Sequence, residues 1–392
     1  MSLDLSDPNV KAFYNGLQEE WILVEGQRVE VPAKKLFASF TPISWSKPAN
    51  FGLIFEDLAT SGKTKQMLEY SPAPVEKTVS MAREVQLLVQ DLDHPAKDAL
   101  LANLDAITDG CLAFSEANET NRNDSLTAWS LKEYGAPSKA TLEEAWSILT
   151  SDAHDPSEVG KMATREILED IEKLLSTLPG DWNVITSDIQ AAMMVKQSSR
   201  QLVVRTGLEI TWNEVRRLAV HEIGGHIVRS LNSERTKGTL ASLSLGADSI
   251  STEEGLAIWW EHQLAALHPN TLRRYAARAI AVDIALHAGA SMVIQVLKPY
   301  VGQAEAASIA LRVKRGMHDL ESPGAFTKDH AYLSGYLEVA TSLDGASLEW
   351  IRVLMSTKWG LSMMPVAKRL HSMGVLQPGN LPWEVCHGLA RN

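Results

Sequence analysis

Residues 221–226 read HEIGGH: His221, Glu222, Ile223, Gly224, Gly225 and His226. These are the elements of the metal-binding helix motif H-E-x-x-H, with one residue too many. Histidines four apart on an α-helix are offset by roughly 40° and can share one ion, whereas five apart gives about 140°, too wide for one ion. A local π-type turn accommodates one extra residue and brings the two rings back together. The glycine pair lies where that distortion has to fall. In an ordinary helix interior it costs roughly 1–2 kcal/mol against alanine, so the pair points to a purpose.

Just before the motif, RQLVVRTGLEI (Arg200 to Ile210) reads as a strand interrupted by glycine. Thr211 and Glu214 then have the spacing of a capping box, opening the helix that carries the motif. A strand followed by such a helix suggests an edge strand able to pair with an extended peptide. Downstream, TEEGLA (Thr252 to Ala257) opens another helix and brings two carboxylates, Glu253 and Glu254. Two neutral imidazoles, one carboxylate and an open position make a catalytic rather than a structural zinc site.

Elsewhere the pattern is mostly helical: Val75 to about Leu104, TLEEAWSILTS, EVGKMATREILEDIEKLLSTL, TLRRYAARAIAVDIALHAG, EAASIALRVKRGM, and two helices in SLEWIRVLMSTKWGLSMMPVAKRLHSMGVL. The stretch VEVPAKKLFASFTPISW reads as one or two strands. The polar SDAHDPSE segment divides a mainly helical N-terminal lobe, 1–154, from a catalytic lobe, 155–392. The expectation is a predominantly helical α+β protein with a small sheet next to the motif helix.

The chain has 392 residues, 37 basic against 48 acidic, for a formal charge of −11. This argues against a nucleic-acid or anionic-membrane binder, which needs a basic face. The most apolar long stretch, Ala276 to Leu297, carries Arg278, Asp283, His287 and Gln295, so it reads as a buried helix rather than a membrane span. Two distant cysteines, Cys111 and Cys386, and no basic-then-apolar start suit a reducing, cytoplasmic setting. SGKTK ends like a phosphate-binding loop, but the glycine required earlier falls at Asp57.

HEIGGH followed by EEGLA resembles the QEGLA-motif family that includes the microtubule-associated tyrosine carboxypeptidases. The resemblance runs from about Pro48-Ala49-Asn50 to LPWEV near residue 385, through YGAPS at Tyr134, RVKRG at Arg312 and GAFTKDHAYLSG from Gly324. Departures are Gly225, where the family has threonine or a similar residue, Ser233 after Asn232, and Glu253 in place of the family's glutamine. The resemblance implies a gluzincin-like zinc metallopeptidase that removes a C-terminal residue from a peptide or protein, with an aromatic (Tyr or Phe) residue preferred. His221, His226 and Glu254 then hold Zn2+. Glu222 is the general base, taking a proton from an activated water and passing it to the leaving amine. Glu253 is a surface charge or a partner behind the ligands. Arg312, Arg315 and Lys328 are candidates for the terminal carboxylate, with Arg315 and Lys328 first. Tyr332, four after Lys328, is the candidate donor to the oxyanion, ahead of His330. Two other readings compete: a dipeptidyl peptidase III-like aminodipeptidase, which shares the H-E-x-x-x-H helix, and a non-catalytic binding protein that uses zinc for stability.

Overall fold

The computed structural model describes residues 8–152 and 160–389. The chain opens with the long helix α1 (Pro8–Ser39), followed by α2 (Pro42–Trp45), α3 (Phe51–Ser61), α4 (Val75–Gln90), α5 (Lys97–Thr120), α6 (Asp124–Tyr134), α7 (Lys139–Thr150) and α8 (Thr164–Leu175). Strands β1 (Asn183–Ser187), β2 (Met193–Lys196) and β3 (Gln201–Arg205) come next. The motif helix follows as α9 (Trp212–Ala219), a π segment (Val220–Ile227) and α10 (Val228–Ser233). The rest is helical: α11 (Ser249–Gln263), α12 (Pro269–His287), α13 (Ala290–Val301), α14 (Gln303–Val313), α15 (Ala331–Leu343), α16 (Leu348–Met355), α17 (Met364–Ser372) and α18 (Pro382–Val385). The chain is therefore an α+β protein, mostly helical, with one three-stranded sheet.

Several expectations are corrected. The VEVPAKKLFASFTPISW stretch is helix, in α1 and α2, not strand. Val29, Ala33 and Leu36 are fully buried at a helical spacing, so packing of that stripe overrides the β-branched alternation. The Val75–Leu104 helix is two, α4 and α5, broken at residues 91–96, where Pro95 intervenes. The apolar stretch from Ala276 is also two helices, α12 and α13, divided at Ala288 and Gly289, where Gly289 packs against the Glu321 backbone. The polar segment proposed as a lobe divide falls largely on 153–159, outside the described residues.

Strand β3 is central, paired in parallel with β1 and antiparallel with β2, so it is not the edge strand expected. Its Leu202, Val203 and Val204 are all fully buried, which fits a strand covered on both faces. The largest core joins α1, α4 and α5 to the sheet, the motif helix and α16–α17. A second is built around α12, α13 and α14 with α3 and α7. A third is aromatic, with Phe114, Trp129 and Phe326. Among the described residues, no helix is long and apolar enough to cross a membrane.

Candidate active site

The motif helix begins as the sequence requires. Thr211 is extended, and its hydroxyl accepts the Glu214 N–H at 3.3 Å. Only this half of the expected capping box forms. The Glu214 carboxylate turns instead to Arg217, at 2.7 and 2.8 Å.

The helix then widens into the eight-residue π segment spanning HEIGGH. The His221 and His226 ring centroids come within 4.9 Å. Close approach to α11 sets the residue at position 225. A Cβ on Gly225 would sit 2.5 Å from the Ala257 Cβ, so only glycine lets α11 lie this close. On its other side α11 meets α15 backbone to backbone, where a Cβ on Gly255 would fall 2.2 Å from Gly335.

So placed, α11 delivers three carboxylates to the two imidazoles. Glu254 Oε2 lies 3.5 Å from His221 Nε2 and 3.9 Å from His226 Nε2. Glu261, two turns on, accepts from His221 Nδ1 at 2.6 Å. Glu253 accepts from His226 Nδ1 at 2.9 Å. A carboxylate can only accept, so each ring donates through Nδ1 and turns its Nε2 lone pair inward.

Each of these carboxylates is itself held. Glu261 pairs with Arg217 at 3.0 Å. Glu253 pairs with Arg229 at 2.5 Å and with Lys358. Lys328 donates to Glu254 Oε1 at 2.9 Å, leaving Oε2 to the rings. Burial opposes the Glu254 charge, but Lys328 and the imidazoles outweigh it and hold its pKa well below the carboxylate range. Burial likewise opposes the Glu253 charge, and Lys358 and Arg229 overcome it.

His221, His226 and Glu254 offer one donor atom each, all within 4.8 Å of one another. Ligands about 2.0–2.2 Å from a tetrahedral zinc lie about 3.4 Å apart; the Glu254 Oε2 separations from the two Nε2 atoms, 3.5 and 3.9 Å, come near that, and two imidazoles with one carboxylate suit that ion. His221 and Glu222 also form part of the wall of a cavity of about 900 Å³, with Tyr275, Arg278, Arg312 and Tyr332. Burial raises the Glu222 pKa, with His226 and His221 acting against the rise.

The remaining expected site residues divide. Arg312 and Tyr332 line the cavity. Arg312 is held by Asp329 at 2.5 and 3.0 Å. Tyr332 stacks on Tyr275, with centroids 5.4 Å apart. Lys328 is engaged by Glu254, and its ammonium lies 5.1 Å from the Tyr332 ring. Arg315 lies away from the cavity wall, with Nε donating to the Arg312 carbonyl and its guanidinium over Phe326. His330 is committed at both nitrogens, to Ser334 and the Tyr134 carbonyl. His262 meets Tyr336 rather than the site. Sequence reasoning missed Glu261, Arg217, Arg229, Lys358 and Arg278 as parts of the site. The first three stand at helical spacing from Glu254, His221 and His226, a signal that could have found them.

A helical α+β chain with two imidazoles and a carboxylate at one buried point beside a cavity has the donor set of the metallohydrolases. The particular family follows from comparison: the chain belongs to the microtubule-associated tyrosine carboxypeptidase family, whose model matches residues 69–387. Microtubule-associated tyrosine carboxypeptidase 1 of Mus musculus is 35% identical over 156 residues, 38% of this chain and 32% of the mouse protein. The Homo sapiens protein of the same name is 34% identical over 161 residues, with the same shares. The matched stretch thus spans about a third of the length of these relatives.

Proposed function

We propose that this chain is a zinc-dependent carboxypeptidase of gluzincin-like build, cleaving the last peptide bond of a peptide or protein. One observation carries the reading. His221, His226 and Glu254 converge to within 4.8 Å, with each imidazole oriented by a separate carboxylate, the buried Glu261 and the partly buried Glu253. Bound there, zinc supplies Lewis acidity, lowering the pKa of water and polarising a carbonyl.

The chain's own residues do the rest. Glu222, adjacent to His221 and on the cavity wall, accepts the proton of the attacking water and passes it to the leaving amine. Tyr332 reaches the same cavity, its ring fixed by the Tyr275 stack, and its hydroxyl donates to the carbonyl oxygen as charge develops. The relatives' name, tyrosine carboxypeptidase, supports an aromatic terminal residue as substrate.

The test combines metal analysis with release of C-terminal residues from a peptide mixture. The wild type is expected to hold one zinc and release terminal residues, and Glu254→Ala to lose both properties. Glu222→Gln keeps zinc and loses on the order of 10²–10⁴-fold in rate. Normal turnover by Glu222→Gln, or no release by the zinc-loaded wild type, refutes the reading.

A further inference from the structure

A carboxypeptidase must neutralise a free carboxylate one residue beyond the bond it cuts, about 3.5 Å along the chain. A planar guanidinium is the group best matched to that anion. Of the basic residues expected from the sequence, Lys328 is paired with Glu254 and Arg312 with Asp329, while Arg315 lies off the cavity wall.

Arg278 is different. It lines the cavity together with His221 and Glu222. Its Nε is buried with no hydrogen-bond partner. Among the described residues the carboxylate that acts on it, Asp329, is paired with Arg312 instead. Its contacts are aromatic faces, with the guanidinium carbon 4.9 Å from the Tyr332 centroid and 5.7 Å from that of Tyr275. The stacked rings hold the cation without neutralising it.

The local charge is also unbalanced. Arg278, Arg312 and Arg315 all act on one buried carboxylate, Asp329, and only Arg312 forms an ion pair with it. Burial and the neighbouring Arg312 both work against the charge on Arg278. Asp329, Tyr332 and Tyr275 act the other way without fully offsetting this; a guanidinium whose Nε is buried without a partner carries a cost, and an anion entering the cavity lowers it. Position agrees with this. Tyr275, one turn before Arg278 on α12, donates to Glu261 at 3.3 Å, and Glu261 holds His221.

We propose that Arg278 is the residue that binds the terminal carboxylate of the substrate, with Arg312 beside it in the cavity wall. The assignment rests on the carboxypeptidase reading above. It explains why a charge sits in the most apolar stretch of the sequence, and it sets the exopeptidase register: only a chain that ends one residue beyond the scissile bond reaches the guanidinium.

The test uses two zinc-loaded variants, Arg278→Gln and Arg278→Lys, against one peptide made as the free acid and as the C-terminal amide. The wild type is expected to prefer the acid strongly. Arg278→Gln lowers kcat/KM for the acid on the order of 10²-fold or more, chiefly through KM. The amide changes little, and zinc content is unchanged. Arg278→Lys keeps the cation but not the fork, and gives an intermediate acid-to-amide ratio. It decides the question if Arg278→Gln fails to fold. A wild-type ratio in the variants overturns the assignment of Arg278 alone. A wild type that releases no residue from either peptide overturns the carboxypeptidase reading, and Arg278 with it.

Discussion

Replacing Gly225 by alanine puts a methyl carbon 2.5 Å from the Ala257 Cβ and 2.8 Å from its Cα. Two carbons rest at about 3.5–4.0 Å, so α11 has to retreat from the π segment by roughly 1 Å. It has little room, because Gly255 on its other side already abuts the Gly335 backbone. Ala257 stands one turn from Glu254, so the movement transfers to the third donor. Metal sites keep ligand distances within about 0.2 Å of their ideal values, and a 1 Å displacement far exceeds that. Removing a mere supporting group costs about 10–100-fold in metal affinity, so Gly225→Ala is expected to cost at least that much. Stability behaves differently. Overpacking costs about 1–3 kcal/mol, and the better helix propensity of alanine returns up to about 1 kcal/mol. The melting temperature of the metal-free protein therefore moves by only a few degrees while zinc affinity collapses. Competition against a graded chelator measures the first effect and calorimetry the second. Adding Ala257→Gly to Gly225→Ala removes only the Cβ contact and leaves the new methyl 2.8 Å from the residue 257 Cα, so it is expected to restore zinc binding only in part. Wild-type zinc affinity in Gly225→Ala refutes the close-approach argument.

Glu261→Ala is expected to weaken zinc binding about 10–100-fold by freeing the His221 ring, and to lower thermal stability by leaving Arg217 without its buried partner; chelator competition and melting read the two effects. Lys314, fully buried, shares its three N–H donors among four main-chain carbonyls, of Ala285, Ala288, Ser322 and Gly324, at 2.7–3.1 Å. Lys314→Met strands these acceptors at the end of α12 and is expected to destabilise the chain by about 3 kcal/mol or more, measured by denaturant unfolding. Burial holds the His94 pKa down at about 4, and its Nδ1 accepts the Ala96 N–H at 3.0 Å. The unfolded chain therefore takes up a proton near pH 6.5 that the folded chain refuses until about pH 4. Stability falls as pH drops through that window, by about 3 kcal/mol in all, and His94→Gln removes this part of the slope.

The motif helix was legible because its information is local. Glycines at 224 and 225, a threonine cap and the spacing of two histidines all concern one segment, and local geometry dictates the π distortion. The flanking strand was legible as a strand but not as a central one. Which strands pair depends on β1 and β2, whose short, half-buried runs carry little periodicity. The α1 region misled because VEV alternates over too few residues to tell a strand from the stripe made by Val29, Ala33 and Leu36. Long-range partners were not legible. Lys358 meets Glu253 across 105 residues of chain, and no spacing rule reaches that far. Arg278 was visible only as a charge inside an apolar run, since the Tyr332 face it rests on comes from another helix.

The two adjacent glutamates show how much the fold adds to a motif. Residue type and spacing alone leave Glu253 and Glu254 as like carboxylates at the start of one helix, and only the family resemblance favours Glu254 as the ligand. Successive helical positions differ by about 100°, so the two face different neighbours once α11 is fixed. Glu254 shares its face with Glu261, two turns on: Glu261 accepts from His221 Nδ1 at 2.6 Å, while Glu254 Oε2 stands 3.5 Å from Nε2, on the side where the donor atoms converge. Glu253 faces His226 Nδ1, Arg229 and Lys358 instead. This division works only in one rotational setting of α11, and Gly225 against Ala257 and Gly255 against Gly335 fix that setting from both sides. Gly335 lies three residues past Tyr332, so the contact that seats the third donor also positions the Lys328 and Tyr332 segment above it. The glycine of EEGLA and the glycine closing FTKDHAYLSG are thus two halves of one backbone contact. A side chain at either position moves donor, ammonium and cavity wall together.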